Sequence, residues 1–179
     1  METPWYLAPA LLIPAALSAP AYAVTYYSVA QAQQTLFPQA NAFVADALRL
    51  TPTQQAQIGK EAGTPQITSD QPVWRAMADG RQVGWFVEDE VIGKHELITY
   101  GVALDMNGAV LGVEILAYRE SRGSEIRNPR WLAQFQGKHF GDPVTLGQDI
   151  ANISGATYSC RHVAEGVKRI LALYEAALK

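Results

Sequence analysis

The chain has 179 residues, 49% of them hydrophobic and 17% charged, with a formal net charge of −3. That length suits about one domain, and the composition supports a packed core over wholesale disorder. The acidic balance, without a long basic run, argues against a nucleic-acid partner. A lone cysteine, Cys160, excludes an internal disulfide framework, a Cys-x-x-Cys-His haem site and cysteine-rich zinc or iron–sulfur centres.

The N-terminus looks like an export signal. Leu7 to Leu17 is apolar throughout, and Ala21-Tyr22-Ala23 supplies the small-x-small pattern before Val24. Residues 1–23 are therefore read as a signal peptide, although the leading segment holds Glu2 and no Lys or Arg. The alternative is an uncleaved anchor, since Trp5 to Ala23 approaches spanning length, but Pro9, Pro14 and Pro20 disfavour a straight helix. Either way the folded part is expected in the periplasm or on the extracytoplasmic face of the membrane.

Residues 24–70 are expected to form a helical lead-in. Ser28 can cap a helix over Val29 to Leu36 that Phe37-Pro38 ends. Thr51-Pro52-Thr53-Gln54 combines an N-cap, a proline at the first helical position and a capping-box glutamine, with Gly63 as the stop. Asn41 to Leu50 fits helix and strand equally, and Thr64 to Asp70 reads as loop. From residue 71 to 179 a second region begins, first rich in strands. Val73 to Ala78 and Arg81 to Val87 flank Asp79-Gly80, and Leu97 to Met106 and Ala109 to Tyr118 flank Asn107-Gly108. Both dipeptides suit two-residue hairpin turns, where both positions need positive φ. The second hairpin is mostly apolar, so a helix should cover it.

A polar stretch, Arg119 to Arg130, precedes a short helix around Trp131 to Gln136. The last helix is expected over Ser159 to Leu178. Its apolar stripe is Val163, Val167, Ile170, Leu171, Tyr174 and Leu178, with Arg161, Glu165, Lys168, Arg169 and Glu175 facing water. The fold class is α+β: a hairpin-rich antiparallel sheet covered by helices.

Just before that helix stands Ser154-Gly155-Ala156-Thr157. Small residues let a ligand approach the backbone, and a helix start offers free N–H groups and a positive dipole end, so the string suits a phosphate. Its plainer reading is an ordinary helix start. Asn152-Ile153-Ser154 is also an N-glycosylation sequon, judged accidental because a glycan would crowd the same place. Cys160 reads as a small buried filler. Arg119, Arg122, Arg127 and Arg130 read as a solvated loop, Trp74, Trp85 and Trp131 as core or rim aromatics. His95, His139 and His162 are too scattered for a metal site, and none is expected.

The segment Ala151-Asn152-Ile153-Ser154-Gly155-Ala156-Thr157-Tyr158-Ser159 resembles the attachment motif Asp-x-x-(Ser/Thr)-Gly-Ala-Thr-x-(Ser/Thr) of the FMN-binding domain family. That family includes the C subunit of sodium-translocating NADH:quinone reductase and the G subunit of the Rnf complex. Ser154, Gly155, Ala156, Thr157 and Ser159 match; Ala151 stands where the motif has Asp, and the nearest acid is Asp149. Glu120-Ser121-Arg122-Gly123 resembles the family's Glu-Thr-Pro-Gly loop, and Phe135-Gln136-Gly137-Lys138 its Phe-x-Gly-Lys run. Tyr100 and Gly101 occupy its glycine-containing strand.

The resemblance implies an FMN joined by a phosphoester to Thr157, with Ser154, Gly155, Ala156 and Ser159 around the phosphate. Glu120, Ser121 and Gly123 would lie over the ring, and Tyr100 and Gly101 would also bind the cofactor. It further implies a separate flavin transferase with FAD as donor, and a membrane redox complex or cytochrome as partner. The role expected is electron carrier or redox-complex subunit rather than stand-alone enzyme, with no catalytic residue assigned. The alternatives are a flavin-free sensory or scaffold module of the same fold and a non-covalent FMN-dependent reductase.

Overall fold

The computed structural model describes residues 24–66 and 68–179; the expected signal peptide lies outside the described residues. Side-chain caps start the first two helices. Ser28 Oγ accepts from the Gln31 amide while the Gln31 side chain accepts from the Ser28 amide, opening α1 (Val29–Leu36). Thr51 and Gln54 repeat the exchange at α2 (Pro52–Ala62), which Gly63 closes.

The ambiguous stretch between them is a strand, β2 (Ala42–Arg49), because its whole length pairs with β3 (Asp70–Ala78). With β4 (Arg81–Ile92), β5 (Leu97–Leu104), β6 (Val110–Tyr118) and a short β1 (Val24–Thr25), it builds one six-stranded antiparallel sheet ordered β1-β6-β5-β4-β3-β2. Residues 24–70 thus supply both outer strands and are continuous with the rest of the sheet. They also hold both helices expected of the lead-in, α1 and α2.

The two hairpins differ. Asp79 and Gly80 both take positive φ (50° and 77°), and Ala78 pairs directly with Arg81, as a two-residue turn requires. At Asn107-Gly108 the strands stop at Leu104 and resume at Val110. Asp105 Oδ1 accepts from the amides of Asn107 and Ala109, so its carboxylate replaces a ladder bond and widens the turn to 105–109. Only Gly108 of that pair has positive φ.

One sheet face is covered by α1, where Phe37, Phe86, Ala103 and Leu116 form a small core. The other face holds the main core beneath α4 (Thr157–Leu173), with Val163, Val167, Ile170 and Leu171 buried on the helix. α4 begins two residues earlier than expected. α2 packs on its C-terminal end through Leu50, Ile58, Ala172 and Leu173.

Arg169, expected in water, is buried. Its guanidinium and the Tyr100 hydroxyl both donate to Asp89 Oδ2, and the Arg169 and Asp89 side chains are each only 9% exposed. The helix can sit this close because residue 166 is glycine: a Cβ there would lie 1.9 Å from the Tyr100 oxygen.

Candidate functional site

The start of α4 lacks a cap. Ala156 takes the N-cap position and offers no side-chain acceptor, so the amides of Thr157, Tyr158 and Ser159 have no partner among the described residues. Gly155, at φ 86°, leaves open space where a Cβ would project. Ser154 and Gly155 are exposed, and Thr157 is half-buried. Thr157 Oγ1 accepts a 3.1 Å hydrogen bond from Asn152 Nδ2. The sequon asparagine and the candidate attachment hydroxyl are therefore neighbours, and a glycan on one would obstruct the other.

The segment entering this turn is held by the 129–135 region, a short helix α3 (Pro129–Leu132) followed by a 3-10 turn. Trp131 Nε1 donates to the Ala151 carbonyl at 2.7 Å, and Gln134 accepts from the Ala151 amide at 2.8 Å. Phe135 is fully buried against Trp131. Lys138 pairs with Asp149, two residues ahead of the 151–159 segment, at 2.9 Å. Asp149 also accepts from the amides of Val144 and Thr145. That carboxylate is committed to its own turn and cannot stand in for the missing motif acid.

Tyr118, at the end of β6, was not singled out from the sequence and proves central. Its hydroxyl donates to the Arg122 carbonyl at 2.6 Å and lies 3.1 Å from Ser159 Oγ. A Cβ on Gly123 would meet that hydroxyl at 2.7 Å and the Ala156 methyl at 3.1 Å. The 120–123 loop thus rests directly on the first turn of α4, and glycine is what permits it. No local pattern marks Tyr118, because its partners are 4 and 41 residues away. Tyr118→Phe should lower stability by about 1 kcal/mol through the lost hydrogen bond to Arg122, read by urea denaturation; an unchanged midpoint would deny the tyrosine this clamping role.

The remaining expected site residues divide. Ser154, Gly155, Ala156, Thr157, Ser121 and Gly123 gather at the loop–helix junction. Ser159 is buried, and its hydroxyl joins the helix to Tyr118 instead of facing outward. Tyr100 and Gly101 are turned into the interior. Tyr100 is fully buried in the Asp89 network, and burial, then the adjacent carboxylate, pushes its phenol well above the ordinary range. A Cβ on Gly101 would meet the Phe86 ring at 2.4 Å, so that glycine serves packing between strands. Cys160 is buried, and its thiol is pushed up by desolvation, as suits an inert filler.

Glu120 reaches the β4–β5 tip, where its Oε1 accepts from the amides of His95 and Glu96. Desolvation raises its carboxyl, but the amides of Glu96, His95 and Lys94 outweigh this and hold it below the usual glutamate range. A depressed folded-state value means the contribution is present above the unfolded value of about 4.3 and lost as pH falls through the folded one. The amide proton shifts of His95 and Glu96 should therefore move together as pH drops below about 4.3. Glu120→Gln should abolish that titration; if it survives, another acid governs the tip.

Three clefts are prominent, and neither Thr157 nor the 120–123 loop lines any of them. Beside the junction Tyr158 is 53% exposed. Among the described residues no cluster of three or more metal-ligating side chains is found. No helix there is long and apolar enough to cross a membrane.

The sequence model described as FMN-binding domain matches residues 93–172, from the β4–β5 tip through α4. Over that segment the chain is similar to the FMN-binding domain family. The match takes in both halves of the junction, the 120–123 loop and the 154–157 turn. The fold agrees with a crystal structure of Shewanella oneidensis NqrC, with a TM-score of 0.51 and 16% identity over 80% of this chain and 84% of that one. No protein of curated function matches the chain.

Proposed function

We propose that this FMN-binding domain holds FMN at the junction of the 120–123 loop and the first turn of α4, through a phosphoester to Thr157, and serves in electron transfer. The observation that carries the reading is the contact of Gly123 with Ala156 beside three unpartnered helix amides and a half-exposed hydroxyl. The residues fit the group. Free amides of Thr157, Tyr158 and Ser159 can receive phosphate oxygens, and the dipole end favours the remaining negative charge by roughly 0.3–1 kcal/mol. The open space at Gly155 leaves the backbone accessible.

Attachment by a flavin transferase balances simply: Thr157 Oγ1 forms a new P–O bond to the flavin phosphate of FAD, the P–O–P link breaks, and AMP leaves. The hydroxyl proton passes to a base on the transferase. When bound, the flavin ring accepts and returns one or two electrons. The chain's own residues orient it: Tyr118 fixes the 120–123 loop to the helix, while Glu120 fixes the β4–β5 tip beside that loop.

The apolar run Leu7–Leu17 and the Ala21-Tyr22-Ala23 pattern support an extracytoplasmic location, where a covalently held cofactor cannot be lost by diffusion. Likeness in fold to NqrC supports a membrane redox complex as partner. Ala151 in place of the motif acid, with Asp149 engaged elsewhere, favours a second reading in which FMN is held without the ester.

Co-expression with a flavin transferase tests both readings. The proposed ester gives yellow protein that fluoresces after denaturing electrophoresis, with intact mass raised by one FMN less one water. Colour that washes out on denaturation supports the second reading. Colourless protein under all conditions removes both.

A further inference from the structure

The ladder between β3 and β4 stops at Val73–Val87, where Pro72 has no N–H to offer. β4 runs on to Ile92, still paired with β5 but without a neighbour on its other side. A cleft of about 720 Å³ opens there, and five consecutive β4 residues, Glu88 to Ile92, line it. A cleft lined by consecutive residues of one strand meets that strand edge-on, because side chains alternate between faces.

Alternation also fixes which backbone groups face it. The Gly93 amide donates to the Glu96 carbonyl across the hairpin, so Gly93 points toward β5, and Ile92, Glu90 and Glu88 point into the cleft. Two side chains substitute for the missing strand at the ends. Gln71 Nε2 donates to the Glu88 carbonyl at 2.6 Å, and the His162 imidazole bonds the Ile92 carbonyl. Between them, the amide and carbonyl of Glu90 find no partner among the described residues.

The walls set the chemistry. Asp70, Glu88, Asp89, Glu90 and Glu165 line the cleft, and Arg49, Arg119 and Arg169 pair with Asp70, Glu90 and Asp89. Glu88 and Glu165 have no ion-pair partner among the described residues. Ile92 (61% exposed) and Leu97 (40%) offer apolar contact beside them.

We propose that the β4 edge over Glu88–Ile92 is a strand-addition site for an extended segment of a partner protein that carries lysine or arginine between small apolar residues. Backbone pairing at Glu90 supplies register, and the two unmatched carboxylates select positive charge. The proposal is independent of flavin attachment.

The test uses the full chain and a synthetic peptide alternating valine and lysine over six residues, its ends blocked. Titration should shift the Glu90 amide resonance, and the same peptide N-methylated at alternate residues should bind at least about tenfold more weakly. A glutamate-for-lysine peptide should not bind. Glu88→Lys with Glu165→Lys should weaken the lysine peptide by a similar factor. Absent binding at millimolar peptide, equal affinity for the N-methylated form, or equal affinity for the acidic peptide would each overturn the proposal. The peptide arms leave the protein unaltered, so they stand even if the charge variants fold poorly.

Discussion

Thr157→Ala should abolish the mass gain of one FMN less one water on co-expression with a flavin transferase, and Thr157→Ser should retain it. The physical basis is that only a hydroxyl at the first residue of α4 is both half-exposed and placed among the unpartnered helix amides. Ser154 is exposed but precedes the helix, and Ser159 is buried against Tyr118. Neither should substitute for the lost oxygen. Folding should be little affected, since the Thr157 hydroxyl accepts one exposed hydrogen bond from Asn152. Ala151→Asp should raise labelling in the wild-type background, because it restores the carboxylate of the attachment motif. Full-mass labelling of Thr157→Ala would place the ester elsewhere and sink the assignment.

The second large effect concerns stability. Arg169→Met should cost about 3–5 kcal/mol, because it leaves the Asp89 carboxylate buried without its cation. Against a total stability of roughly 5–15 kcal/mol, that is a major fraction. At about 2–4 °C per kcal/mol for a chain of this size, the melting temperature should fall by roughly 6–20 °C. Adding Asp89→Leu to Arg169→Met should recover part of the loss, since an apolar pair avoids the desolvated charge. Chemical denaturation of the single and double variants measures the coupling. A cost below about 1 kcal/mol for Arg169→Met would mean that water reaches the site and the pair behaves like a surface one.

The sequence announced the Ser28 cap, the Thr51–Gln54 capping box, the Asp79-Gly80 turn and the apolar stripe of the last helix, because each depends on residues within a few positions of one another. It also announced the 154–157 turn and the 120–123 loop, as strings resembling a family motif. What it could not give was their contact. That depends on Tyr118 at the end of β6 and on the absence of a side chain at Gly123. Nor could it give the fate of Tyr100 and Gly101, whose strand is buried on both faces, so no alternation distinguishes an inward from a ligand-facing position.

Local chemistry by itself determined where the first two helices begin, where one hairpin folds back, and which hydroxyl stands near a helix start, since those preferences are set within a turn or two of chain. Tertiary structure alone decided that residues 42–49 extend instead of coil, that Arg169 leaves water, and that Asp149 pairs with Lys138. Each of these outcomes is set by partners more than ten residues distant in sequence or by a buried neighbour, and burial reverses what a charged or ambiguous residue would prefer alone.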